Sequence, residues 1–279
     1  MKIKPCLYYL GLSCFPLSIM SLINIFYCYY FVYLNNIFSY IVVLFSSLLI
    51  GIFLFFLGKK NKENINIYEQ LFLIIIIYFL ISFFILIPYY MSSYDVSLIN
   101  SYFEAISGLT GTGFTIFENL KNLDEPLILW RSTSQWIGGF YFLIFLVLIF
   151  SNKQVNIKLI DLSFSLEKKT NLSSNLMSVA NRIFIIYLTL SILIFLLFLF
   201  SNIRIFDSLN LTMTLISSGG FLPTDSLNDI IVNEFQSFLL CFAFLISILN
   251  FYILYNIALE RNNLKNHSED FFIIILIII

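Results

Sequence analysis

Charged side chains are scarce in this chain of 279 residues. Lys, Arg, Asp and Glu make up 11% of it, whereas hydrophobic residues make up 60%. Soluble domains are on average about a quarter charged. Together with a mean hydropathy of +0.94, this composition excludes an ordinary soluble domain and predicts an all-α polytopic membrane protein.

The residues of catalytic and metal sites are also missing. The one histidine, His267, lies in a polar stretch where we expect it to be solvated. No phosphate-binding glycine loop precedes a helix, and no nucleophile has a base at a suitable spacing. Four cysteines lie in apolar runs, spaced neither as a metal site nor as a disulfide framework: Cys6, Cys14, Cys28 and Cys241. The sequence thus predicts no enzyme, no nucleic-acid partner and no covalently bound cofactor.

Long apolar runs, in contrast, are abundant. A helix needs about 20 apolar residues to cross the hydrocarbon core of a bilayer. Six runs reach that length: 7–31, 37–57, 67–90, 127–150, 183–203 and 235–259. The first is too long for a signal peptide and lacks a small-residue cleavage site, so we take it as the first span. The last apolar run, 271–279, is too short to cross.

Basic residues predict the orientation of these spans. They occupy alternate connections: Lys2, Lys4, Lys59, Lys60, Lys62, Lys153, Lys158, Lys168, Lys169, Arg182, Arg261 and Lys265. The positive-inside rule puts that side in the cytoplasm of a multi-pass protein of the cytoplasmic membrane. The other side carries acidic residues: Asp95, Glu118, Asp124, Glu125, Asp207, Asp225, Asp229 and Glu234. They form either an outward vestibule that concentrates cations or a set that membrane insertion merely tolerates.

Two small polar loops interrupt the apolar runs. They read SGLTGTGFT at 107–115 and ISSGGFLPT at 216–224, and each follows a helix-compatible segment too short to cross, 98–107 and 205–215. A unit of helix, re-entrant pore loop and helix is therefore used twice. The carbonyl end of a short helix and a glycine-rich backbone can replace the water around a cation. The candidate filter residues are Thr110, Gly111, Thr112, Gly113, Ser217, Ser218, Gly219 and Gly220.

Longer motifs surround these loops. They are YFEAISGLTGTG at 102–113, LWRSTSQWIGG at 129–139, FDSL at 206–209, SGGF at 218–221 and ILNFY at 248–252. Together they resemble the Trk/Ktr/HKT potassium transporter superfamily, and its Trk-type membrane subunit in particular. The resemblance implies a pore with a K+-channel-like architecture and one filter glycine from each repeat. These would be Gly113 and Gly220, with Gly219 as second choice, and K+ would bind backbone carbonyls of Thr110, Gly113, Ser218 and Gly220.

The resemblance also divides the chain. Two leading helices would occupy 1–64, a first repeat 65–152, a cytoplasmic connection 153–181, a second repeat 182–262 and the start of a third repeat 263–279. Family members have four repeats, so we expect a truncated or split product rather than a functional homodimer. A second polypeptide or a second copy would complete the pore. A cytoplasmic nucleotide-binding regulatory subunit is implied as well, with 153–181 as its docking surface or, alternatively, as a lipid-binding segment.

The expected function is potassium uptake through a carbonyl-lined filter. A sodium-handling member of the superfamily is one alternative, although such a member would carry a side chain at a filter glycine and both loops keep glycine. A non-conducting fragment that needs a second chain is the other.

Several residues near the loops have two interpretations each. Gly138 and Gly139 indicate close helix packing rather than ion contact. Arg131 either tunes cation occupancy or, as we expect, reaches the interface or pairs with Asp124 or Glu125. Two intramembrane polar residues, Gln135 and Asn250, are functional candidates or form interhelical hydrogen bonds. For Glu104 the alternatives are sensing the ion and anchoring its short helix.

Overall fold

A computed structural model describes residues 3–59, 67–150 and 176–248. These ranges contain eight α-helices and no strand, so the predicted all-α class is confirmed. The helices are α1 Ile3–Tyr30, α2 Leu34–Gly58, α3 Ile67–Tyr90, α4 Leu98–Leu109, α5 Glu125–Phe150, α6 Leu176–Phe200, α7 Ile205–Ile216 and α8 Glu234–Ile248. Short 3-10 turns at Leu120–Asn122 and Leu227–Asp229 follow the two loops.

Four of the described helices are long and apolar enough to span a membrane, and the chain is a multi-pass membrane protein. The spanning segments are Lys4–Tyr30, Leu34–Gly58, Tyr68–Tyr90 and Ile183–Phe200. Helix α5 has the length as well, but its first half is polar: Arg131, Ser132, Thr133, Ser134 and Gln135 are all buried there. Polar side chains in a membrane helix face the protein rather than the lipid, which puts α5 at the centre of the fold.

The leading helices α1 and α2 form a closely packed pair. A Cβ atom on Gly11 would lie 2.5 Å from the backbone nitrogen of Phe55, and one on Gly51 would lie 2.9 Å from Cys14 Cβ. Small residues allow the two backbones to approach. Lipid tails are as apolar as the side chains, so helices in a membrane associate through close packing contacts rather than through the hydrophobic effect.

Helices α4 and α7 are too short to cross the bilayer. Each has 12 residues, or about 18 Å, roughly half of the hydrocarbon thickness. The Oγ of Ser97 caps α4 by accepting a hydrogen bond from the N–H of Asn100. Asp207 places a negative charge in the first turn of α7, where the helix dipole favours it. Both helices begin and end where the sequence predicts re-entrant segments, within one or two residues.

The connections that lead into and out of these short helices share one end of the molecule. Asn36 Nδ2 donates to Asp124 Oδ2 at 3.1 Å, and the hydroxyl of Tyr94 donates to the carbonyl of Asn122. The N–H of Leu120 donates to Asp225 Oδ1 at 2.6 Å. The predicted basic connections at 60–66 and 151–175 lie outside the described residues.

Candidate functional site

Each loop is closed by a hydroxyl near the end of its short helix. Ser107 Oγ donates to the carbonyl of Phe114 at 2.5 Å, and Thr214 Oγ1 donates to the carbonyl of Phe221 at 2.7 Å. The same two residues accept from the loop backbone: the N–H of Thr112 bonds to Ser107 O and the N–H of Gly219 to Thr214 O. These two bonds of the first loop thus recur in the second at a constant spacing of 107 positions.

The turn that leaves each helix is also the same. The N–H of Gly111 bonds to the carbonyl of Gly108, and the N–H of Ser218 bonds to the carbonyl of Leu215, both at 3.0 Å. Both turn residues have positive φ, +70° for Gly111 and +52° for Ser218. A glycine takes this conformation without strain, whereas a side chain opposes it.

The two loops touch at Gly113 and Gly220. A Cβ atom on Gly113 would lie 2.7 Å from Gly220 Cα, and one on Gly220 would lie 3.2 Å from Gly113 Cα. Gly113 also has a φ of +78°. Gly219 points elsewhere, because its Cβ position is filled by the amide of Gln135. The fold therefore brings together the two glycines that the sequence analysis singled out first.

The eight candidate filter residues are accessible at the surface of the described chain. Thr110, Thr112, Ser218 and Gly220 are exposed, and the four residues between and beside them are half-buried. The hydroxyls of Thr110 and Ser217 fold back onto their helices, to Ile106 O and Met213 O, each at 2.8 Å. Each hydroxyl thus donates a hydrogen bond to a carbonyl oxygen in the last turn of its helix.

Helix α5 packs against both loops through two adjacent glycines. A Cβ on Gly138 would lie only 1.8 Å from the carbonyl oxygen of Leu109, at the end of α4. A Cβ on Gly139 would lie 2.7 Å from Ser217 Cβ and 2.8 Å from the hydroxyl of Tyr187. The packing interpretation of this pair is confirmed, and it explains how one helix supports two loops.

Glu104 and Arg131 form a fully buried ion pair. Arg131 Nε donates to Glu104 Oε1 at 2.9 Å, and their side chains are 1% and 0% exposed. The anchoring interpretation of Glu104 is therefore confirmed. The expected pairing of Arg131 with Asp124 or Glu125 is wrong, as is a position at the interface. The reason is the re-entrant path of α4, which brings Glu104 beside the middle of α5.

The two acidic residues at the start of α5 have other partners, at the end of the molecule where the connections of the short helices meet. Asp124 binds Asn36, and Glu125 Oε2 accepts from the hydroxyl of Tyr27 at 2.6 Å. Arg204 Nη1 bonds to Glu125 Oε1 at 3.1 Å and its Nε to Asp207 at 3.1 Å. Burial alone would lower the pKa of Arg204, but its bonds and charges with these two carboxylates raise the pKa above its usual value.

These contacts bear on the predicted acidic vestibule. Lys121 Nζ lies 3.3 Å from Asp229 Oδ2, and Asp225 accepts a backbone N–H of the neighbouring repeat. Five of the eight predicted acidic residues thus hold connections together: Asp124, Glu125, Asp207, Asp225 and Asp229. The structure supports a structural role for those five.

Gln135 links α5 to the second loop. Its Oε1 accepts the N–H of Phe221 at 3.2 Å, and its side chain is fully buried. The expected interhelical hydrogen bond of Gln135 is replaced by one to a loop backbone. Asn250, His267 and the connection 153–175 lie outside the described residues.

Sequence reasoning missed Thr115, Ser107 and Thr214. Thr115 Oγ1 donates to Glu104 Oε1 at 3.0 Å and accepts from Arg131 Nη2 at 2.9 Å. The signal for the other two was available, because each is a hydroxyl seven positions before the phenylalanine that ends the Gly-Phe pair. No comparable pattern marks Thr115.

Several known proteins are similar to this chain in sequence. No family model matches the chain. An uncharacterized cation transporter of Methanocaldococcus jannaschii is 29% identical over 205 residues, which cover 73% of this chain and 43% of that protein. The Trk system potassium uptake proteins TrkH of Halomonas elongata and Escherichia coli are 27% and 25% identical over 60% and 65% of this chain. The chain is thus similar in sequence to Trk system potassium uptake proteins over part of their length.

A crystal structure shows the same fold. The potassium transporter TrkH from Vibrio parahaemolyticus superposes with a TM-score of 0.78 at 19% identity, over 98% of this chain and 55% of that one. The chain spans less than half the length of the curated relatives that it matches, 43%, 35% and 38% of those above. By their names, these relatives are transport proteins.

Proposed function

We propose that the chain takes up potassium across the cytoplasmic membrane as a pore-forming part of a Trk-type transporter. One observation carries the proposal: two loops with the same hydrogen bonds lie against each other at Gly113 and Gly220. The names of the TrkH relatives support K+ as the transported ion.

In this proposal the backbone of the two loops replaces the hydration shell of K+. Thr110, Gly113, Ser218 and Gly220 would offer carbonyls to the ion. The C-terminal ends of α4 and α7, each with about half a negative charge, would favour a cation beside them. Gly220 is a better filter residue than Gly219, because Gly220 adjoins the other loop while Gly219 is covered by Gln135.

Two loops supply only part of a coordination shell. An ion moved unpaired into an apolar medium costs tens of kcal/mol, so ligands are needed on all sides. A second polypeptide or a second copy of the chain would provide the rest. A cytoplasmic nucleotide-binding subunit would dock on the connection 153–181.

The test is cation uptake in cells that lack their own potassium uptake. The chain is expressed alone and together with the part of the Escherichia coli relative that it does not match. We expect K+ uptake in at least one arm. Uptake only in the second arm identifies a partner polypeptide, and uptake in the first identifies self-assembly. No uptake in either arm contradicts the proposal and favours a non-conducting fragment.

Two glycine variants test the filter. Gly113→Ser adds a Cβ 2.7 Å from Gly220 Cα at positive φ, and Gly220→Ser adds one at a less severe 3.2 Å from Gly113 Cα. We expect both to lower the ratio of K+ to Na+ uptake, Gly113→Ser more. Gly51→Ser is the matched control, because that glycine is equally crowded but lies between α1 and α2. An unchanged ratio at both loop glycines would mean that these loops do not select the ion.

A further inference from the structure

One side chain joins the segments through which the chain leaves the two loops. Arg131 Nη2 donates to Thr115 Oγ1 at 2.9 Å, just beyond the first loop. Its Nη1 approaches the carbonyl of Leu222 at 3.5 Å, just beyond the second. The guanidinium also lies over the ring of Phe221, with Cζ 4.2 Å from the ring centre. Arg131 therefore touches both loop exits.

Glu104 fixes the position of that guanidinium. Its Oε1 accepts from Arg131 Nε at 2.9 Å and from Thr115 Oγ1 at 3.0 Å. Its Oε2 accepts the N–H of Ile116 at 2.9 Å. Both oxygens of the buried carboxylate are thus occupied, and a connected network of this kind is rigid. The pair also cancels the charge of Arg131, which would otherwise repel a cation in the loops.

The loop exits are connected to the filter backbone through a few residues of chain. Gly113 and Gly220 are in backbone contact, so a shift of one exit relative to the other changes the spacing between the loops. Choice between K+ and Na+ depends on the spacing and field of backbone carbonyls. We propose that Arg131 is a positioning residue that sets the K+ preference by fixing the distance between the two loop exits. This inference rests on the proposed function.

Two substitutions separate geometry from charge. Arg131→Lys keeps the charge but loses the planar fork that reaches Glu104, Thr115 and Leu222 together. We expect the ratio of K+ to Na+ uptake to fall about fivefold or more. Glu104→Gln keeps the shape but leaves the charge of Arg131 uncompensated. We expect it to reduce uptake of both cations and to change their ratio less than Arg131→Lys does.

Two further variants complete the design. Arg204→Lys is the matched control, because Arg204 is also an ion-paired arginine but is 59% exposed and binds Glu125 and Asp207 rather than the loop exits. Its ratio should stay within about twofold of the unmodified chain, as expected for an exposed ion pair. Thr115→Val removes only the hydroxyl at the first exit and leaves the ion pair in place. We expect a fall in the ratio smaller than that of Arg131→Lys.

The outcomes distinguish this inference from the function beneath it. A lower ratio in Arg131→Lys and Thr115→Val, with Arg204→Lys unchanged, supports the inference. Ratios within about twofold in both loop-exit variants, with a lower ratio in Gly113→Ser, overturn it and leave the function standing. An unchanged ratio in Gly113→Ser and Gly220→Ser overturns both. Should Arg131→Lys give no folded protein, Thr115→Val decides.

Discussion

Position 104 in the first short helix is a buried glutamate, and the matching position in the second short helix is Leu211, also buried. Around Glu104 lie a guanidinium, a hydroxyl and a backbone N–H. Around Leu211 lie the apolar side chains Ile194, Phe198 and Ala243. Even so, the loops that follow have the same hydrogen bonds.

This comparison separates what shapes a loop from what holds it in place. The shape comes from local bonds, one hydroxyl closing each loop and one turn residue at positive φ. The support comes from elsewhere in the fold and differs between the repeats. Helix α5 of the first repeat supports both loops, since Arg131 reaches the first exit and Gln135 holds Phe221 in the second.

Replacing the buried charge with the residue of the second repeat should have the largest effect. Glu104→Leu leaves Arg131 buried without a partner, and breaking such a pair costs about 3–5 kcal/mol. We expect a large drop in the thermal unfolding midpoint of the purified protein. The double variant Glu104→Leu, Arg131→Met should recover much of it. No recovery would mean that the bonds to Thr115 and Ile116 matter more than the stranded charge.

The two glycines of α5 should also differ. A Cβ on Gly138 meets a backbone carbonyl at 1.8 Å, and one on Gly139 meets a side chain at 2.7 Å and a tyrosine hydroxyl. Overpacking costs about 1–3 kcal/mol of stability. We expect Gly138→Ala to lose an amount at or above the top of that range, and Gly139→Ala to lose less than Gly138→Ala. Unfolding in denaturing detergent measures both. Equal losses would show that α5 moves as a rigid body away from both loops.

The closing hydroxyls should behave alike despite their different surroundings. Ser107→Ala and Thr214→Val each leave a loop carbonyl without its donor, at a cost of about 1–2 kcal/mol. Thermal unfolding of the two variants side by side tests whether the repeats are equivalent here. A loss confined to one repeat would show that the bond matters in that loop alone.

The smallest effect should come from exchanging the turn residues. Gly111 and Ser218 occupy the same turn at positive φ. A side chain in this region costs about 1–2 kcal/mol, but glycine loses more chain entropy on folding and so offsets part of that difference. Gly111→Ser should therefore destabilise the protein slightly and Ser218→Gly should stabilise it slightly. Differences in unfolding midpoint of opposite sign check this. The same sign in both would point to a role of the serine hydroxyl.

Much of the fold could be predicted from the sequence because it depends on length and local chemistry. Apolar runs gave the spans, and the short segments before 110 and 217 gave the re-entrant helices. The partner of Arg131 could not be predicted, since Glu104 is 27 positions away and only the return of α4 along α5 brings them together. We expected neighbours in sequence, Asp124 and Glu125, but these bind Asn36, Tyr27 and Arg204 instead.

The filter assignment depends on the glycines of the loops and stays a prediction. The helix that packs behind those loops, α5, also carries a sequence pattern that the prediction did not use. Arg131, Ser134, Gln135 and Gly138 follow the spacing of one helix face. That face meets both loops: Ser134 packs against Gly108 and Gly138 against Leu109, in addition to the contacts of the other two. Polar and small residues at this spacing therefore indicated which face of α5 meets the loops, although Ser132 and Thr133 on its other faces are polar as well.

The backbone contact between Gly113 and Gly220 has an evolutionary consequence. Two copies of an ancestral unit ordinarily diverge independently, each accepting substitutions at its own rate. Here a side chain gained by one copy would occupy the space of the other's main chain. A substitution that adds a side chain at either glycine is therefore tolerated only if the backbone of the other loop shifts.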